Sequence, residues 1–148
     1  MKKSNLFQTV IAAALMLAAL TTLGAEKIIG GPKGGKLLEK TTPHAEFFVE
    51  QDRSVTITFY GADMKPVAAT TQTVIVQADA KEGKAKLEFE KKGDILVSKS
   101  KLPEGEGYNV VVQFKQTAEA KPLNLRFKLD LEACAKCKRA EYACTCDE

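Results

Sequence analysis

The chain has 148 residues, of which 28% are charged, with 22 basic against 19 acidic side chains and a formal net charge of +3. That near balance argues against nucleic acid and against any strongly anionic partner, both of which call for a basic face. The length suits one domain with a real core and leaves little for a second.

The chain opens on a basic start, Met1, Lys2 and Lys3, followed by an uncharged apolar run over residues 10–20 and then small residues to Ala25. This is the pattern of a secretory signal peptide, with cleavage expected after Ala25 and Gly24 the neighbouring alternative. The apolar run is shorter than the about 20 residues that a spanning helix needs, and no longer one follows, so the mature protein is expected to carry no membrane span. No cysteine follows the run to accept a lipid. The expected destination is the periplasm, with the extracellular space as the alternative. Lys2 and Lys3 leave with the leader, so the mature chain is close to neutral.

Residues 26–43 form a glycine-rich lead-in, with GGPKGG at 30–35 and a short apolar step at Leu37 and Leu38 that predicts an edge strand around 36–39. A phosphate cradle is disfavoured, because no Gly-Lys-Ser/Thr follows and no strand precedes. Residues 44–132 are then dominated by period-two alternation. Strands are predicted over 44–50, 54–60, 72–78, 84–90, 94–98, 108–115 and 123–131. Their inward side chains are Ala45, Phe47 and Val49; Val55, Ile57 and Phe59; Val74 and Val76; Leu87 and Phe89; Ile95 and Val97; Val110, Val112 and Phe114; and Leu123, Leu125, Phe127, Leu129 and Leu131. The connectors at 61–66, 80–83, 91–94 and 102–107 are turn chemistry, and their shortness favours antiparallel neighbours. The expected fold is all-β: an immunoglobulin-like antiparallel β-sandwich with a cysteine-rich C-terminal tail, a small barrel being the alternative.

That tail, residues 133–148, holds all four cysteines: Cys134, Cys137, Cys144 and Cys146. Because no cysteine lies among the strands, disulfides could staple only the tail, and the plausible pairings run between the Cys-x-x-Cys and Cys-x-Cys halves. A metal centre explains the spacing more directly. The two halves can wrap opposite sides of a tetrahedral ion, with Lys136, Lys138 and Arg139 beside them to offset the charge of about −2 on a Zn(Cys)₄ centre. Soft sulfur ligands suit Cu(I) and Cd(II) as well as the borderline Zn(II). A dithiol oxidoreductase built on Cys134 and Cys137 lacks the βαβ setting of that motif. Metal, disulfide and redox readings all stand at this point. Truncation after Glu132 is expected to leave a domain that still unfolds cooperatively.

The single histidine, His44, opens a strand and is a weak candidate ligand. Glu46, Glu50, Glu88 and Glu90 fall at alternating positions and read as a solvated sheet face. With one histidine and no nucleophile motif, the chain is not expected to be an enzyme.

GPKGGKLLE (31–39), PHAEFFVE (43–50) and Asp63-Met64-Lys65-Pro66-Val67 together resemble the N-terminal module of periplasmic adaptor proteins of heavy-metal efflux pumps. The ending AEYACTCDE resembles that of small exported proteins accompanying such pumps. The likeness covers about a third of the chain. The long helical hairpin and further domains of an adaptor are missing here. The resemblance implies an exported accessory to heavy-metal efflux that binds a metal ion and meets an envelope efflux component. The alternative is an envelope interaction module whose tail is locked by two disulfides.

Overall fold

The computed structural model describes residues 27–146; the leader expected over residues 1–25 lies outside them. Nine strands and no α-helix occur among the described residues: β1 (Lys36–Leu38), β2 (His44–Val49), β3 (Val55–Tyr60), β4 (Pro66–Val67), β5 (Thr73–Ala80), β6 (Gly83–Lys92), β7 (Ile95–Ser98), β8 (Tyr108–Lys115) and β9 (Leu123–Leu129). No described helix is long and apolar enough to cross a membrane. The all-β expectation holds. So does the edge strand, and the alternation-rich segments become β2, β3 and β5 to β9. β4 is an addition, a two-residue strand that pairs with β3 just past the turn at 61–65.

Every pairing is antiparallel, along one path β1-β2-β3-β7-β6-β5-β8-β9. The path bends at β6, whose residues 83–88 pair with β5 while residues 89–92 pair with β7. One long strand thereby serves both leaves, and the sheet curls until it is nearly closed, like a barrel. Inside the curl β3 meets β8, with Phe59 and Phe114 ring centroids 6.3 Å apart, and β2 meets β9, with Phe47 and Phe127 edge to face at 5.3 Å. Val55, Ile57, Val76, Leu87, Val110 and Val112 fill the space between and are fully buried.

Val49 and Phe89, expected inward, are half-buried, and two whole strands change. In β7 the buried side chains are Leu96 and Ser98, while Ile95 and Val97 are half-buried, one residue out of phase with the expectation. The Ser98 hydroxyl earns its inward place by accepting from the Val55 N–H at 2.9 Å and donating to the Ser100 carbonyl at 2.7 Å. In β9 only Leu129 is fully buried; Leu123, Leu125 and Phe127 are half-covered, because β9 ends the strand path and has a pairing partner on one side only.

The solvated carboxylate face needs a larger correction. Glu46 is fully buried: its carboxylate accepts hydrogen bonds from the Gly35 N–H (2.7 Å), the Lys33 N–H (3.1 Å) and the Tyr60 hydroxyl (2.7 Å). The glycine-rich lead-in folds over this outer face of β2 to bring those amides in. It can do so only without side chains, since a Cβ on Gly31 would lie 2.1 Å from the Glu46 carboxyl carbon and one on Gly35 would lie 2.2 Å from the Phe47 carbonyl oxygen. The Tyr108 hydroxyl at the start of β8 donates back to the Pro103 carbonyl at 2.9 Å.

The open side of the curl lies between β1 and β9, and the C-terminal segment occupies it. A 3₁₀ turn, Glu141–Ala143, sends Tyr142 into the same buried cluster as the strand residues, with Ala143 wholly covered beside it. The Tyr142 ring stacks on Phe127 at 6.3 Å and meets Phe47 edge-on at 6.0 Å.

Candidate metal centre

The segment after β9 is held backbone to backbone, and this determines where the cysteines stand. An antiparallel bridge between Ala133 and Ala140 closes a small hairpin. Within it the Cys134 N–H donates to the Arg139 carbonyl at 2.7 Å and the Lys138 N–H donates to the Cys134 carbonyl at 2.9 Å. Lys138 takes φ of 63°, so the chain reverses directly after Cys137 and that thiol folds back towards Cys134. The Glu141 and Tyr142 N–H groups then donate to the carbonyls of Glu132 (2.8 Å) and Asp130 (3.0 Å), tying the 3₁₀ turn to the end of β9. Cys144 and Cys146 emerge from that turn facing the hairpin.

All four thiol sulfurs lie within 4.8 Å of one another. The Sγ separations are 3.1 Å for Cys134 and Cys144, 3.6 Å for Cys137 and Cys144, and 4.0 Å for Cys134 and Cys146. None is bonded to another. A tetrahedron of sulfurs around a zinc ion at about 2.3 Å has edges of about 3.8 Å. The observed spacings straddle that edge, so the four residues fit a single tetrahedral ion with small side-chain adjustments. Cys134 is buried and the other three are half-buried, which leaves a route from solvent to the sulfurs.

The electrostatics favour at least one thiolate. The Arg139 backbone N–H donates to the Cys137 sulfur, and with help from the neighbouring thiols this lowers its pKa to about 6. Hydrogen bonding to Cys134 pushes Cys144 up to about 12, against a backbone N–H from Cys146 that acts the other way. Cys146 is also raised, chiefly by its contact with Cys137. A protein sulfur that accepts N–H bonds is prepared to carry charge, and a cation replaces the protons that the remaining thiols would otherwise keep.

The flanking cations divide their work. Lys136 and Lys138 are exposed. The Arg139 guanidinium instead donates to the Gly31 carbonyl at 3.3 Å, and a Cβ on Gly30 would fall 2.2 Å from its Nη1 and 2.9 Å from the Thr145 methyl. The lead-in therefore packs against the cysteine loop. His44 is not in the thiol group; it opens β2, whereas the end of β2 nearest the tail is Val49, where the N–H donates to the Tyr142 hydroxyl at 3.1 Å.

Sequence spacing grouped the four cysteines, and their sulfurs lie together. It did not identify Tyr142, Gly30 or Gly31 as part of the same construction. The one available sign was an aromatic residue placed between the two cysteine pairs. Compared with known proteins, the chain matches no family model, no curated protein and no solved structure.

Proposed function

We propose that this chain is an exported, non-enzymatic protein that binds one thiophilic ion, Zn(II) or Cu(I), through Cys134, Cys137, Cys144 and Cys146. The observation that carries the reading is the convergence of all four sulfurs within 4.8 Å without a bond between any two. Sequence pairs that could have faced apart meet at one point, with separations that straddle the edge of a four-sulfur tetrahedron, and this supports the metal reading. The leader pattern of residues 1–25 supports export to the periplasm. The likeness of residues 31–67 and of the cysteine-bearing ending to efflux accessory proteins supports a role beside an envelope heavy-metal efflux component. The Tyr108 contact to Pro103, a tyrosine at a strand start bonded a few residues upstream, supports kinship of the curled sheet with immunoglobulin-like sandwiches.

The reduced protein is expected to take up one equivalent of Zn(II) or Cu(I) in anaerobic competition with a chromophoric chelator. Cys137→Ser and Cys144→Ser should each lose tight binding, since either leaves a three-sulfur shell, while His44→Ala should bind like the wild type. Equal binding by wild type and Cys144→Ser would sink the proposal.

Disulfide locking is the second reading, favoured by one observation: the Cys134–Cys146 and Cys137–Cys144 contacts use each cysteine once and join the two halves. Native and denatured masses of protein taken from the periplasm separate the two. An adduct lost on acidification indicates metal, and a loss of four hydrogens indicates disulfides.

A further inference from the structure

We propose that the metal centre is a clasp: binding of the ion by the four cysteines and seating of Tyr142 between β1 and β9 are one coupled event, with Tyr142 the positioning residue. The inference rests on the metal reading above and adds to it what the ion controls.

Tyr142 lies between the two halves of the ligand set, after Cys137 and before Cys144. An ion held by Cys134 and Cys137 on one side and by Cys144 and Cys146 on the other fixes the ends of the short segment that carries the ring. That segment is the part of the tail built into the fold. The Tyr142 ring lies against Phe127 of β9 and Phe47 of β2, its hydroxyl accepts from Val49, and Ala143 is completely covered. Arg139, also between the halves, holds the Gly31 carbonyl and so reaches the lead-in that covers Glu46.

The elements at the seam therefore all touch the segment that the cysteines bracket. Without an ion, four thiols offer each other only weak S–H contacts, and the seating of the ring depends on its own packing. With an ion, leaving the seam would require a sulfur to leave the metal. Coupling of this kind is reciprocal: if the ion holds the ring in place, the ring strengthens the grip on the ion by the same factor.

Exchange of the Val49 amide reads the seam directly, because Val49 belongs to β2, is not a ligand, and its N–H donates to the Tyr142 hydroxyl. In the reduced full chain, saturating Zn(II) is expected to slow exchange of this amide by at least about tenfold, within the lower part of the range for coupled sites. In chelator competition, Tyr142→Ala should weaken Zn(II) binding by a similar factor of about ten, and Tyr142→Phe, which keeps the ring, should recover most of the affinity. Wild type that binds Zn(II) tightly with Val49 exchange unchanged would remove the clasp and leave the metal centre standing. So would a folded Tyr142→Ala protein with wild-type affinity. If Tyr142→Ala does not fold, the wild-type exchange result and the affinity of Tyr142→Phe decide the matter. A wild type that takes up no Zn(II) overturns the metal reading and the clasp together.

Discussion

Glu46 shows how much one side chain can organise. A carboxylate without solvent is tolerated only when its lone pairs are met, and here two lead-in amides and a phenol meet them. Glu46→Ala would strand all three donors, and a loss of about 3 kcal/mol or more in urea unfolding is expected. Tyr60 carries the pH dependence of this cluster. Burial, and then the neighbouring Glu46, raise its pKa above the ordinary tyrosine value, so the folded protein prefers the neutral phenol. A raised pKa contributes stability that is complete below about pH 10, the unfolded value, and is lost as pH climbs towards the folded one. The unfolding midpoint of the wild type should therefore fall above pH 10 more steeply than that of Tyr60→Phe. Parallel slopes would remove Tyr60 from the account.

At the scale of elements, legibility followed the contrast between the two faces of a strand. β8 sets Asn109 and Gln113 against Val110, Val112 and Phe114, with Val111 the one apolar residue on the outer face, and its inward residues Val110, Val112 and Phe114 were assigned from pattern alone. β7 offers no such contrast: Ile95, Leu96 and Val97 are all apolar, and the polar Ser98 points inward because Val55 and Ser100 satisfy it. Its phase was set by pairing with β3 and β6, which no local window contains. Glu46 was misjudged for a related reason, since its alternation was read correctly but the loop that covers it comes from outside the strand. The grouping of the four cysteines was legible because they are close in sequence, whereas the seating of Tyr142 depends on Phe47, far away in sequence, as well as on Phe127. The phase of β7 can be checked by substitution. Leu96→Ala should cost about 2 to 5 kcal/mol and Val97→Ala about 1 kcal/mol or less, measured by chemical denaturation. The reverse order would restore the phase read from sequence.

For the whole molecule, the question is whether the chain beyond β9 is an appendage or a wall of the barrel. Sequence placed a boundary after Glu132, on the ground that every cysteine lies beyond Leu131 and that alternation stops there. The packing runs across that boundary: Tyr142 and Ala143 join the strand residues in one buried cluster, and Asp130 and Glu132 supply carbonyls to the returning turn. Removing residues 133–148 would uncover Phe127, Phe47 and the Val49 amide at once. Deleting one buried aromatic ring costs about 3 to 5 kcal/mol, and the truncation loses the backbone bonds as well. A small domain has a total of about 5 to 15 kcal/mol to lose. A chain ending at Glu132 is therefore expected to fold with markedly lower stability, its unfolding free energy from urea titration lower by at least about 3 kcal/mol than that of the reduced, Zn(II)-loaded full chain. Its unfolding should remain a single transition, because the strand path from β1 to β9 is intact without the tail. A truncated protein as stable as the full chain would show that the C-terminal segment carries the cysteines and nothing of the fold.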